Sequence, residues 1–361
     1  MKKIFSNIRN FFCNPVPAQT LGCFRIAVGI FSLVQLLILL PDWMWFYGPQ
    51  GLLPWEISDA LSTRQTPGLA YFAKLLLPLS ISAKGTVYLV TVIYFISLIG
   101  LTAGYKTRLM GALAWLMHLI LNTTGHFTAY GVETFAHIAL FYCMVLPVGA
   151  SWSIDAHKKP PVLPPYLITL SVRIIQLHFC IMYLASGLEK SIGSQWWNGE
   201  AIWIAMQQDQ FHKVDINWMA GVPIVPKLLC IGTLITETLY PVGMLWKKTK
   251  KMWLTAILSM HFFIAIFLGL QLFGGLMFLL NLTAFGAHCF PGIFRRRIKN
   301  FSSNPHRIIK PILLVNNMLN NKSTSAYHYR KLISRSTSFF KNNYGYGYNY
   351  VYGNKERAQE R

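Results

Sequence analysis

Eight stretches of this chain are apolar almost without interruption, at 19–41, 85–105, 109–124, 129–148, 163–188, 224–246, 253–272 and 275–292. A run of about 20 apolar residues is the length a helix needs to cross the hydrocarbon of a bilayer. Alternation of period two is absent, which argues against a β-barrel, and a helix satisfies its own backbone hydrogen bonds, as lipid demands. The pattern predicts an all-α integral membrane protein, a bundle of about eight transmembrane helices. Composition agrees: charged residues make up 12% of the 361, half the roughly 25% of soluble domains. That excludes an ordinary soluble enzyme and a disordered chain. The six cysteines, Cys13, Cys23, Cys143, Cys180, Cys230 and Cys289, are scattered, without metal-ligand spacing. They read as small hydrophobes rather than a disulfide framework.

Net charge is +21, of which +9 falls in residues 1–294 and +12 in residues 295–361. With eight crossings, the basic groups at Lys2, Lys3 and Arg9, at Lys106 and Arg108, at Lys158 and Lys159, at Lys247, Lys248, Lys250 and Lys251, and at Arg295, Arg296, Arg297 and Lys299 all fall on one side. The short links 124–128 and 272–275 carry no Lys or Arg. The positive-inside rule then puts both termini in the cytoplasm of a multi-pass plasma-membrane protein, as in a bacterial inner membrane. The expected organisation is a cytoplasmic N-terminus over 1–18, a transmembrane domain over 19–294 and a basic tail over 295–361. No small-x-small cleavage site follows the first apolar run, so that helix is expected to be retained.

Two long connections, 42–84 and 189–223, fall outside. They hold Trp43, Trp45 and Trp55, and Trp196, Trp197, Trp203 and Trp218. Tryptophan favours the headgroup zone, so both are expected to form short extracytoplasmic interfacial helices and loops that roof the bundle. The tail is rich in Asn, Ser, Lys, Arg and Tyr and reads as low-complexity. Its basic residues are expected to meet anionic lipid, each worth about 1 kcal/mol near the surface; an arm for nucleic acid or another partner is the less favoured reading.

Ionisable side chains inside membrane helices are costly and mark function by default. Here they are Arg25, Glu133, Arg173 and Glu237, with His118, His137, His178 and His261 at similar depths. Two arginines and two glutamates balance one another and would also serve as an ion-pair lattice that fixes helix register. Glu133 and His137 share a helical face, but one such pair is not a metal site, and no metal is expected. Lys190 lies at the outer end of the fifth segment, in LASGLEKSIGSQWWNGEA. Beneath a tryptophan-rich cover its amine would be partly desolvated and so move toward the range of a general base. A snorkelling lysine at a helix end accounts for the spacing equally well.

Several segments in order resemble one family: GCFRIAVGI (22–30), WFYGPQGLLPW (45–55), YGVETFAHIALFYCMVLPVGASWSIDA (130–156), SGLEKSIGSQWWNGEA (186–201), DQF (209–211), TLITETLYP (233–241) and MHFFIAIFLGL (260–270). Over roughly residues 16–290 the chain resembles the HTTM (horizontally transferred transmembrane) domain family, which is similar to the membrane part of vitamin K-dependent gamma-carboxylase. The resemblance implies a helical bundle with a site open to the extracytoplasmic side. It makes Lys190 the candidate base on a vitamin K-like quinone, with Arg25, Glu133, His137, Arg173, Glu237 and His261 shaping the pocket. The chain departs from the carboxylases at Glu189, where a basic neighbour is usual, and at His137, about a turn from their histidine. Nothing after residue 299 resembles their large C-terminal domain.

Three functions stay open at this level. One is an enzyme using Lys190 on a quinone-like or lipid substrate. Another is a non-enzymatic membrane factor for maturation or export of a secreted peptide or protein. The third, a transporter, ranks last because no internal repeat is evident.

Overall fold

The computed structural model describes residues 11, 15–61, 66–158, 163–208, 216–246 and 248–289. The basic tail expected over 295–361 therefore lies outside the described residues, as does DQF. In chain order the helices are α1 (Gln19–Leu39), α2 (Trp43–Tyr47), α3 (Trp55–Leu61), α4 (Leu69–Leu76), α5 (Ala83–Ala103), α6 (Thr107–Thr124), α7 (Gly131–Val145), α8 (Ile154–Lys158), α9 (Pro165–Ile192), α10 (Ser194–Asn198), α11 (Glu200–Gln207), α12 (Ile224–Thr238), α13 (Tyr240–Leu245), α14 (Lys250–Phe267) and α15 (Gln271–Cys289). Short 3-10 turns lie at Leu40–Asp42, Leu77–Leu79, Val148–Ala150 and Asn217–Gly221. No strand occurs among the described residues.

Each of the eight predicted segments is largely helical where it is described, and four helices are long and apolar enough to cross a membrane: Gln19–Tyr47, Ala83–Ala103, Pro165–Ile192 and Lys250–Phe267. Three of the others fall short for local reasons. Arg108, His118 and Asn122 dilute the apolar run of α6. Leu146 leaves helical geometry ahead of Pro147, which ends α7 at 15 residues. The segment expected as one helix over 224–246 is broken at Leu239, because Pro241 has no N–H to give the Glu237 carbonyl. The Leu239 amide caps the broken turn instead.

The surface is apolar in helical stripes. Ile30, Val34, Leu37 and Ile38 on α1, and Tyr88, Val92, Phe95, Ile96 and Ile99 on α5, are large and exposed. Spacings of three and four place each set on one helix face. Such a face is stable against lipid and not against water. Inside, lipid removes the hydrophobic drive between helices, so close packing and polar bonds must hold them. Gly187 provides one such approach: a Cβ there would stand 2.6 Å from the Thr238 nitrogen. That near-contact brings the C-terminal turns of α9 and α12 together.

The two tryptophan-rich connections do contain short helices, α2 to α4 on one side of α5 and α10 to α11 after α9. Trp43 donates to Thr91 Oγ1 at 2.7 Å and Trp55 to the Tyr47 carbonyl at 3.0 Å.

Candidate functional site

One helical face of α9 carries Tyr183, Ser186 and Lys190, spaced by three and four residues. Because α9 meets α12 at Gly187–Thr238, Lys190 reaches Glu237 on the facing helix. Lys190 Nζ donates to Glu237 Oε2 at 2.8 Å and to Ser186 Oγ at 2.5 Å. The Trp196 ring of α10 covers the ammonium, 5.5 Å from its centroid. The Lys190 side chain is 25% exposed and that of Glu237 7%. The acid partner is thus Glu237, 47 residues away, and not the adjacent Glu189, which is exposed.

These groups open on a cavity of about 700 Å³ between α9, α11, α12, α14 and α15. Its other walls are largely apolar, among them Leu228, Leu229, Phe263, Ile264, Phe273 and Met277. His261 lines it from α14, with Nε2 2.7 Å from the Tyr183 hydroxyl. Behind that pair, Asn281 donates to the Tyr183 hydroxyl at 2.7 Å and accepts from the Tyr240 hydroxyl at 2.6 Å. The result is a polar spine from α9 through α15 to α13.

The remaining predicted residues lie elsewhere, and the expected Arg–Glu lattice is replaced by other partners. Arg25 is fully buried and donates to the carbonyls of Leu101 (3.2 Å) and Trp152 (2.5 Å). Gly104 next to it has φ +72°, and a Cβ there would collide with the guanidinium. Asp155 closes this corner, accepting from the Lys106 amide (2.9 Å), the Thr107 amide (2.8 Å) and Thr107 Oγ1 (2.7 Å). Burial alone would raise its carboxyl, but these bonds, with the Arg25 charge behind them, hold it below its usual value. So GCFR and WSID are two halves of one structural staple.

Glu133 caps α7 through the Tyr130 amide (2.9 Å) and accepts from Gln35 (3.2 Å). His137 stacks between Trp115 and His118, its Nδ1 3.3 Å from that of His118. Arg173 donates to the Phe11 carbonyl (2.7 Å) and to Gln176 (2.6 Å). His178 meets the Tyr142 hydroxyl at 2.6 Å. Of the seven predicted site residues, Lys190, Glu237 and His261 are gathered at the cavity, whereas Arg25, Glu133, His137 and Arg173 are not. Trp196 supplies the tryptophan cover expected over Lys190, whereas Ser186, Tyr183 and Asn281 were missed. Their signals are the three-four spacing back from Lys190 and, for Asn281, one amide in an apolar run. Among the described residues no three His, Cys, Asp or Glu side chains cluster as a metal site would require.

An all-helical fold with lipid-suited outer faces is that of a membrane protein, here with a partly buried ammonium–carboxylate pair at a cavity. The HTTM domain matches residues 63–287, and the chain belongs to that family, which is known for its similarity to the membrane domain of the gamma-carboxylases. No curated protein and no solved structure gives a significant match.

Proposed function

We propose that this HTTM protein is a multi-pass membrane enzyme in which Lys190 acts as base on an amphiphilic substrate, a quinol or lipid, held in the 700 Å³ cavity. The observation that carries the reading is the Lys190–Glu237 pair at the wall of an otherwise apolar space. Ligand sites of about 300–1,000 Å³ with few convergent polar groups are the usual form of a small-molecule pocket. Apolar walls with hydrogen-bonding groups at one end fit a ring or chain with a hydroxyl head.

An ammonium paired with a carboxylate accepts a proton only as a unit. Lys190 passes a proton to Glu237 and takes the one on the substrate hydroxyl. The pair goes from ammonium–carboxylate to ammonium–carboxylic acid, and the substrate is left as an oxyanion against the ammonium. Preplaced charge of this kind, in a site with little water, is an effective stabiliser of developing negative charge.

The reading includes eight crossings, cytoplasmic termini and a site on the extracytoplasmic side. Lys106 and Lys158, from two of the expected cytoplasmic links, both approach the Tyr105 ring, which supports one side for both. Lys190 lies 25 residues along α9 from Pro165, roughly 38 Å at 1.5 Å per residue. That span supports the opposite side for the amine.

The test offers reduced naphthoquinones and phospholipids to full-length protein in nanodiscs and follows product by mass spectrometry. Turnover lost in Lys190→Ala with helicity unchanged is the expected result. Equal product from both proteins removes Lys190 as the base. A second reading, a factor for a secreted peptide or protein, is favoured by exposed Trp45, Trp197 and Trp218, at 54%, 54% and 61%. It predicts that serine at these positions lowers partner recovery while Lys190→Ala does not.

A further inference from the structure

The corner between α5 and α6 carries a second concavity that the proposed chemistry does not use. It is a groove of about 480 Å³ with apolar walls at Leu109, Leu146, Pro147 and Leu163, and with Lys106 and Arg108 on its lip. Leu109 is half exposed, and so is Val145 one residue from the groove wall. The groove is therefore continuous with the lipid-suited surface.

Cations outnumber acids at this lip, which Asp155 also lines. Lys106, Arg108 and Lys158 are exposed, and none is in a salt bridge with a carboxylate among the described residues. The nearby acid, Asp155, is already engaged by the Lys106 and Thr107 amides and the Thr107 hydroxyl. The ammonium groups of Lys106 and Lys158 lie 5.7 Å and 5.5 Å from the centroid of the same Tyr105 ring. Two cations around one ring favour an anion that meets both. The staple also holds them in place: Lys106 sits at φ 42°, a left-handed position that the Asp155 bond to its amide secures.

We infer that this groove binds one anionic phospholipid, its phosphate against Lys106 and Arg108 and an acyl chain along Leu109, Leu146 and Leu163. A free phosphate would satisfy the lip and leave the apolar walls uncovered, so the ligand is a lipid. The inference rests on membrane insertion and is independent of the chemistry assigned to Lys190, since its readout involves no turnover.

The experiment releases the full chain from nanodiscs of phosphatidylcholine with phosphatidylglycerol and counts retained lipids by native mass spectrometry. Wild type is expected to keep one phosphatidylglycerol in preference to phosphatidylcholine. Lys106→Asn/Arg108→Gln, in which asparagine tolerates the left-handed backbone, is expected to lose it by roughly tenfold or more, as the removal of two surface charges requires, and Ala156→Phe, which fills the groove, is expected to lose it as well. Should the double variant not fold, judged by helicity and elution volume, Lys158→Gln takes its place with a smaller loss. Equal retention in all proteins overturns the inference. So does loss in the charge variant alone with Ala156→Phe unaffected, which would be surface attraction without a groove. Displacement of the lipid by inorganic phosphate also overturns it.

Discussion

Gly187 and Thr238 touch backbone to side-chain position, with room for no methyl group between them. The contact lies one turn before Lys190 and one residue after Glu237, so it sets how far the amine stands from the carboxylate. Gly187→Ala is expected to lower stability by about 1–3 kcal/mol, the cost of overpacking a close approach, although alanine is the better helix former. Thermal unfolding in detergent checks it. An unchanged midpoint would mean that the two helices part without cost.

The Lys190–Glu237 pair makes a second prediction. Removing one partner strands a largely buried charge, and losses of about 3–5 kcal/mol follow for fully buried pairs. Lys190 is a quarter exposed, so about 1–3 kcal/mol is expected for Lys190→Met or for Glu237→Leu. The double variant should be more stable than the sum of the single losses implies. A double-mutant cycle measures that coupling, and strict additivity would show that the pair contributes nothing to the fold.

Acid should loosen the α5–α6 corner through Asp155. Its carboxyl is held below the ordinary 3.8 when folded. The stabilisation is therefore complete above about pH 4 and disappears as pH falls through the lower folded value. Asp155→Asn should remove this acid-dependent step and cost about 0.5–2 kcal/mol at neutral pH, the range for a lost helix cap. Unfolding midpoints between pH 6 and pH 2.5 test it. An Asp155→Asn curve parallel to wild type over that range refutes the assignment.

Gly104 should tolerate no other residue. A side chain there meets a left-handed backbone, costing about 1–2 kcal/mol, and runs into the Arg25 guanidinium as well. Gly104→Ala is expected to reduce the yield of folded protein far more than Gly232→Ala, where the same Cβ meets nothing within 4 Å. Equal recovery of the two variants by size exclusion would contradict the staple.

Hydropathy alone located the helices because membrane segments announce themselves by length and apolarity, residue by residue. It mispredicted 224–246, where Pro241 interrupts an otherwise uniform run. Charge was a weaker guide to the site. Lys190, Glu237 and His261 stood out as ionisable groups in apolar surroundings and do converge. Arg25 stood out in the same way, yet it serves two carbonyls. The partner of a buried arginine is set by which backbone turn arrives beside it, and one strand of text does not encode that meeting. Ser186, Tyr183 and Asn281 are uncharged, so nothing in composition raised them. Their part follows only from which faces α9 and α15 turn inward.

The interruption after Glu237 has a mechanical consequence. A continuous helix resists bending along its whole length, whereas here one rung of the ladder is missing beside the carboxylate. Turning α12 about Leu239 breaks no further backbone bond, so widening the chamber costs least at the point where the acid is anchored. An incoming guest would therefore press on a joint that leaves the amine and the carboxylate in contact.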